Sequence, residues 1–213
     1  MQRMPPGVTE ARRSWLGPPL RTLRQPAFDA ACAELMRLVD ADYTPTVIVG
    51  IRTGGLVVAE AMARSRATPL PVLPITCRRI STGTKTRLPL VRTALARLPR
   101  PVTDVMRRLE HRWITTRRTR QDRPQRIDQA EADVIAAWLH TASQPRVLVA
   151  DDAVDSGVTL ATVLRLLRAA GPPGMALRSA AITQTLDHPI VTPDYVLCRG
   201  TLCRFPWSLD AAR

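Results

Sequence analysis

The chain of 213 residues is long enough for one α/β domain with an insertion and a buried core. Its net charge of +13 points to polyanions, yet thirty of the 31 basic residues are arginine, and residues 78–126 hold fifteen Lys/Arg against three Asp/Glu. No apolar run approaches the ~18 residues a spanning helix needs, and "MQRMPPGVTEARRSW" lacks the pattern of a signal peptide, so no membrane segment is expected.

Residues 1–26, rich in Pro and Arg without a period, read as an arm or hood of low order, and 27–213 as a single domain with a basic, partly helical insertion at about 77–126 and a short C-terminal hood. "FDAACAELMRLVD" (28–40) carries Phe28, Ala31, Cys32, Leu35, Leu38 and Val39 at helical spacing. "TPTVIVG" (44–50) predicts a buried strand, and "GLVVAEAMARS" (55–65) a helix burying Val57, Val58, Ala61 and Met62. "TPLPVLPIT" (68–76) is extended, and its prolines place it at a sheet edge.

The alternation then breaks. Residues 88–98 and 102–113 predict two amphipathic helices around "PRP", followed by a polar loop. Asp128 with Glu131 resembles a capping box opening a helix over 128–140. "RVLVA" (146–150) is a second buried strand, 158–171 a helix ending at Gly171, and "ALRSAAIT" and "DYVLCR" further strands. Strands alternating with helices imply a doubly wound, mainly parallel sheet. Cys32, Cys77, Cys198 and Cys203 form no CxxC pair, which predicts a reduced, cytoplasmic protein without structural zinc.

"VLVADDAVDSG" (147–157) contains Asp151, Asp152 and Asp155 as DDxxD. On a helix, such carboxylates would hold Mg²⁺ for a diphosphate. That needs a helix through 151–155, a second acidic cluster and a nearly all-α chain, and the sequence offers none of these. The order here is strand, acidic turn, Gly, helix. Asp155 or Ser156 alone would read as a helix cap. Three carboxylates followed by Ser-Gly-x-Thr say more. "DSGVT" (155–159) brings a tight glycine turn onto a helix N-terminus, where free N–H groups suit a phosphate monoester, with Ser156 and Thr159 adding hydroxyls. Asp151 and Asp152 repel phosphate, so they should face sugar hydroxyls or a metal beside it. A sugar phosphate with a vicinal diol meets both demands.

"VLVADDAVDSGVTL" resembles the phosphoribosyl-pyrophosphate (PRPP) signature of type I phosphoribosyltransferases, and "VIVGIRTGG" (47–55) resembles that family's pyrophosphate loop. The general feel is of the bacterial purine (xanthine, guanine, hypoxanthine) enzymes. The resemblance covers roughly residues 44–76 and 145–207. It implies that Asp151 and Asp152 hold the ribose hydroxyls, with Mg²⁺ bridging ribose and pyrophosphate. It further implies that Asp155, Ser156, Gly157, Val158 and Thr159 bind the 5′-phosphate, and that Arg52, Thr53, Gly54 and Gly55 receive the pyrophosphate. Asp155 would face the acceptor and take or relay its proton. A homodimer is implied as well.

The sequence departs from the family pattern in places. Val158 stands where many members carry Gly or Lys. Gln184 and Thr185 stand where 6-oxopurine enzymes present a Lys to the base; they are the acceptor-binding candidates here, since an amide can still read a base edge, less selectively. The stacking aromatic falls at Leu202, leaving Phe205 or Trp207 to substitute, although tail aromatics equally pack on a core. In the basic interval, Lys85 and Arg87 within "STGTKTR", with Gly83 as hinge, are the candidates to reach the leaving group; residues 92–112 also read as a solvated helical face. The net +12 of 78–126 predicts looseness until an anion arrives. The implied reaction joins PRPP to a nitrogenous, purine-like acceptor. Two rivals stand beside it: a PRPP-sensing regulator using its basic surface on nucleic acid, and a specialised enzyme with an unusual acceptor.

Overall fold

The computed structural model describes residues 9–10, 18–79 and 125–208. Chain order is β1 (Thr9–Glu10), β2 (Leu20–Thr22), α1 (Gln25–Asp40), β3 (Val47–Ile51), α2 (Gly54–Arg64), β4 (Val72–Ile75) and β5 (Cys77–Arg79), then β6 (Gln125–Ile127) and α3 (Gln129–Thr141). β7 (Arg146–Val154), α4 (Val158–Ala170), β8 (Ala176–Gln184), β9 (Tyr195–Arg199) and β10 (Leu202–Arg204) follow.

Among the described residues, six strands pair in parallel in the order β1-β9-β8-β7-β3-β4, the doubly wound sheet that the alternation predicts. Both faces are covered, which is why β3 is buried at every residue. The strand period of two sorts the core. Ile48, Leu148, Ala180 and Ile182 pack with α1 and α2 on one face. Val47, Val49, Val147, Val149 and Ala181 pack with α3 and α4 on the other. β4 is the edge strand, as its prolines require. No helix among the described residues is long and apolar enough to cross a membrane.

Three boundaries differ from the sequence reading. Residues 20–22 and 25–26 are not a loose arm: Leu20–Thr22 pairs in parallel with Leu202–Arg204 to form a small hood. α1 starts three residues early because Pro26, with its fixed φ and missing N–H, suits a first helical turn. β7 runs through Asp151 and Asp152 to Val154, since pairing with β8 continues from Asp151↔Ala181 to Val154↔Gln184; the turn is only Asp155–Gly157. The antiparallel pair β5–β6 closes the base of the basic interval. Lys85, Arg87, Gly83 and the two helices expected over 88–113 lie outside the described residues.

Candidate active site

From β3 the chain winds outward to β4, and it returns on the other flank of β3 as β7 before continuing outward to β8 and β9. The sheet order therefore reverses between β3 and β7. A crevice opens beyond the carboxyl ends of two such strands, and their following loops line it. Those loops are residues 52–55 and 155–157.

Here the two loops meet. A Cβ on Gly54 would overlap the Asp152 carboxylate, and one on Gly55 would come within 2.6 Å of the Ala150 carbonyl oxygen and 2.8 Å of the Asp151 Cα. Only a bare backbone packs this closely on β7. Arg52–Thr53 is a cis peptide, and Thr53 caps α2 without a side-chain hydrogen bond.

Asp151 and Asp152 are half-buried and bonded to the main chain and to each other: the Asp152 N–H donates to Asp151 Oδ1 and the Ala153 N–H to Asp152 Oδ1, each at 3.0 Å. Burial pushes both carboxyls above the ordinary range, and the charge of Asp152 adds to the rise at Asp151. Two adjoining carboxyls, both raised by burial and one also by its neighbour's charge, fit a cation or a diol. Among the described residues, no group of three or more His, Cys, Asp or Glu gathers as a metal site. A cation here would complete its shell with substrate and water, the habit of Mg²⁺.

Beyond them Gly157 adopts φ +77° and turns the chain onto α4. A side chain there would be strained, and its Cβ would lie 2.7 Å and 2.8 Å from the Val191 carbonyl oxygen and nitrogen. Asp151 and residues 153–160 line a pocket over the N-terminus of α4. The first N–H groups of a helix have no helical acceptor, so this pocket has donors to offer an anion. Ser156 is buried within it and Val158 and Thr159 half-buried.

The remaining candidates are placed differently. Thr185 is buried and donates a short hydrogen bond from Oγ1 to Asp155 Oδ1, so it orients a carboxylate instead of facing an acceptor. Gln184, 3% exposed, donates from Nε2 to the Leu186 carbonyl at 2.7 Å and accepts from Arg199 Nη1 at 2.6 Å. Its amide is spent inside the protein. This corrects its reading as a reader of a base edge. Phe205 is buried and stacks on Trp207 at 5.0 Å, while Trp207 meets Phe28 edge-on at 5.2 Å. Phe205 is thereby a packing residue of the hood; Trp207 keeps 38% of its surface exposed.

One site neighbour escaped the sequence reading. Glu131 was read as half of a capping box. Asp128 does accept from the Glu131 N–H at 3.3 Å. The Glu131 carboxylate does not return the bond. It accepts from Arg52 Nε at 2.9 Å and from the Thr76 N–H at 2.5 Å, fixing the pyrophosphate-type loop to α3. Arg52 lies 79 residues away in sequence, and no local pattern announces such a pair.

The phosphoribosyl transferase domain family matches residues 21–190. The chain belongs to this family, and the class it defines is that of PRPP-dependent glycosyltransferases. No curated protein sequence matches the chain. Among solved structures, the fold is similar to a purine phosphoribosyltransferase from Pyrococcus horikoshii (20% identity, TM-score 0.56, covering 89% of this chain and 94% of that one). It is similar also to a xanthine-guanine-hypoxanthine phosphoribosyltransferase from Helicobacter pylori (18%, 0.58, 90% and 95%). A third is a hypothetical protein from Neisseria gonorrhoeae solved with bound ppGpp (12%, 0.57, 89% and 89%).

Proposed function

We propose that the protein transfers the 5-phosphoribosyl group of PRPP to a nitrogenous, purine-like acceptor and releases pyrophosphate. The observation that carries this is the packing of Gly54 and Gly55 against Asp151 and Asp152 at the point where the sheet order reverses. It sets a pyrophosphate-type loop, a carboxylate pair and a helix N-terminus around one crevice. The purine enzymes among the similar folds support the choice of acceptor class.

In this reading residues 155–159 hold the 5′-phosphate through main-chain N–H groups, and Asp151 and Asp152 orient the ribose diol. Arg52, Thr53, Gly54 and Gly55 receive the leaving diphosphate, with Arg52 steadied along its Nε edge by Glu131. Asp151 and Asp152 would hold Mg²⁺, which when bound neutralises charge on the diphosphate. The bond from the anomeric carbon to pyrophosphate breaks as the acceptor nitrogen approaches, so the site must stabilise the departing anion and keep water from the ribosyl cation. Asp155, held by Thr185, takes the acceptor proton. Trp207 is the candidate to stack on the acceptor. Lys85 is proposed to reach the leaving group, so Lys85→Ala should lower turnover more than PRPP affinity. A cytoplasmic homodimer belongs to the same proposal.

The test is pyrophosphate release from PRPP with Mg²⁺ across a panel of purines, pyrimidines and other nitrogen acceptors, with the product identified by mass. One nucleotide per pyrophosphate, formed only with an acceptor, is expected. Tight PRPP binding without release on any acceptor, together with PRPP-dependent binding of RNA or DNA, would replace the transferase with a sensor.

A further inference from the structure

The dithiol at the corner between β9 and β10 serves neither ribose nor phosphate. Cys198 lies in β9 and Cys203 in β10, in different sheets, yet both are buried and their thiols are hydrogen-bonded to each other. A third group joins them: Arg21 of β2 points Nη1 at Cys198 Sγ, 3.6 Å away. The corner between them turns at Gly200, φ +62°, where an added Cβ would meet nothing within 4 Å. We propose that Cys198 and Cys203 form a peroxide-responsive dithiol whose reversible oxidation to a disulfide alters the contact between the hood and the carboxyl end of β8.

The four cysteines are not equivalent. Burial and the nearby Asp29 charge push the Cys32 thiol up to about 12, and burial pushes Cys77 up to about 11. Cys198 goes the other way, to about 6, because the Cys203 thiol donates to it and Arg21 faces it. Cys203 is raised for the complementary reason, keeping its proton as donor. A cysteine biased toward its thiolate by a facing arginine, with a second thiol in contact, supplies the nucleophile and the resolving partner that peroxide chemistry uses. The chemistry balances. The Cys198 thiolate attacks the O–O bond of a hydroperoxide, keeps one oxygen as sulfenic acid, and the other leaves as water or alcohol after taking a proton. Cys203 then attacks that sulfur, the S–S bond forms, and hydroxide departs as water with the Cys203 proton. An external dithiol reverses it.

The corner is also wired to the site. Thr183 Oγ1 donates to the Thr201 carbonyl at 2.6 Å and contacts the Cys198 carbonyl at 3.3 Å, and the Gly200 N–H donates to the Gln184 carbonyl at 2.8 Å. Thr185, next in the chain, holds Asp155. In this proposal, drawing the two sulfurs into a bond shifts β10 against β9, and these hydrogen bonds pass the shift to residues 183–185.

The experiment treats the full chain with hydrogen peroxide and maps every cysteine by mass. Expected are loss of two hydrogens, tryptic peptides joined across Arg199, and Cys32 and Cys77 still alkylated after denaturation, all restored by dithiothreitol. Cys203→Ser should stop at a Cys198 sulfenic acid trapped by dimedone, and Arg21→Gln should slow oxidation several-fold. Amide exchange at 183–185 should change between the two redox states. Free thiols at 198 and 203 after Cys32 or Cys77 has oxidised would overturn the assignment, and so would unchanged exchange for the coupling. None of these readouts depends on transferase activity.

Discussion

The phosphate side and the acceptor side of the crevice differ in which atoms they leave for a ligand. On the phosphate side, Gly54, Gly55 and Gly157 remove side chains where backbone must approach closely. The two carboxylates of β7 bond the main chain and each other. On the acceptor side, Gln184 and Thr185 are buried and already bonded to Leu186, Arg199 and Asp155. One half offers main-chain donors and acids; the other fixes its polar side chains to hold itself together. In the proposed reaction the strand ends would hold the ribosyl donor, and selection of the acceptor would fall to residues outside β8, with Trp207 as the proposed one.

The largest effect should come from Asp151→Asn with Asp152→Asn. Turnover with PRPP should fall on the order of 10³-fold, the scale of losing a main charge-stabilising group. The fold should survive. Burial raises both carboxyls, so the folded chain binds more protons than the unfolded chain, and stability falls as pH rises from the ordinary carboxylate range through the raised one. The amides remove that fall, and calorimetry at neutral pH should show an unfolding temperature equal to or above that of the wild type.

Gly157→Val comes next. A left-handed β-branched residue costs roughly 1–2 kcal/mol or more; the turn should relax to escape that cost and the Val191 backbone, and restoring its geometry on binding would then cost about tenfold in affinity. Val158→Gly should cost far less, because the proposed contact is to the main-chain N–H, which glycine keeps. Calorimetric titration with ribose 5-phosphate separates the two.

Gln184→Ala sharpens the comparison from the other side. It removes an acceptor from Arg199, and stability should fall by about 1–3 kcal/mol in denaturant melts. The ranking of acceptors should not change. A switch in acceptor preference with unchanged stability would make Gln184 a base reader after all.

The smallest effect belongs to Glu131→Gln. An ion pair this exposed contributes about 0.2–1 kcal/mol, so the KM for PRPP should rise less than about fivefold, with kcat nearly unchanged.

The same contrast decides how much was legible in the sequence. β3, β7, α2 and α4 were readable because buried parallel strands are β-branched runs and helices carry their own period. The turn at Gly157 was readable because the glycine and the acids before it sit within a few residues of one another. Gln184, Thr185, Glu131 and Cys198 were misjudged or passed over for one reason: their partners lie 15, 30, 79 and 177 residues away, at Arg199, Asp155, Arg52 and Arg21. Side chains that satisfy each other across the fold leave no local spacing to read. The early start of α1 was a milder miss, since Pro26 reads as a breaker until it is seen as a first turn.

The central claim is that main-chain donors at 155–159 and the β3 loop hold the two ends of PRPP separately. Binding of ribose 5-phosphate and of magnesium pyrophosphate should be measured by calorimetry on the wild type, Gly157→Val and Arg52→Ala. The account predicts a crossed pattern: Gly157→Val loses ribose 5-phosphate and keeps pyrophosphate, while Arg52→Ala does the reverse. Loss of both ligands in either folded variant, or of neither, would contradict it.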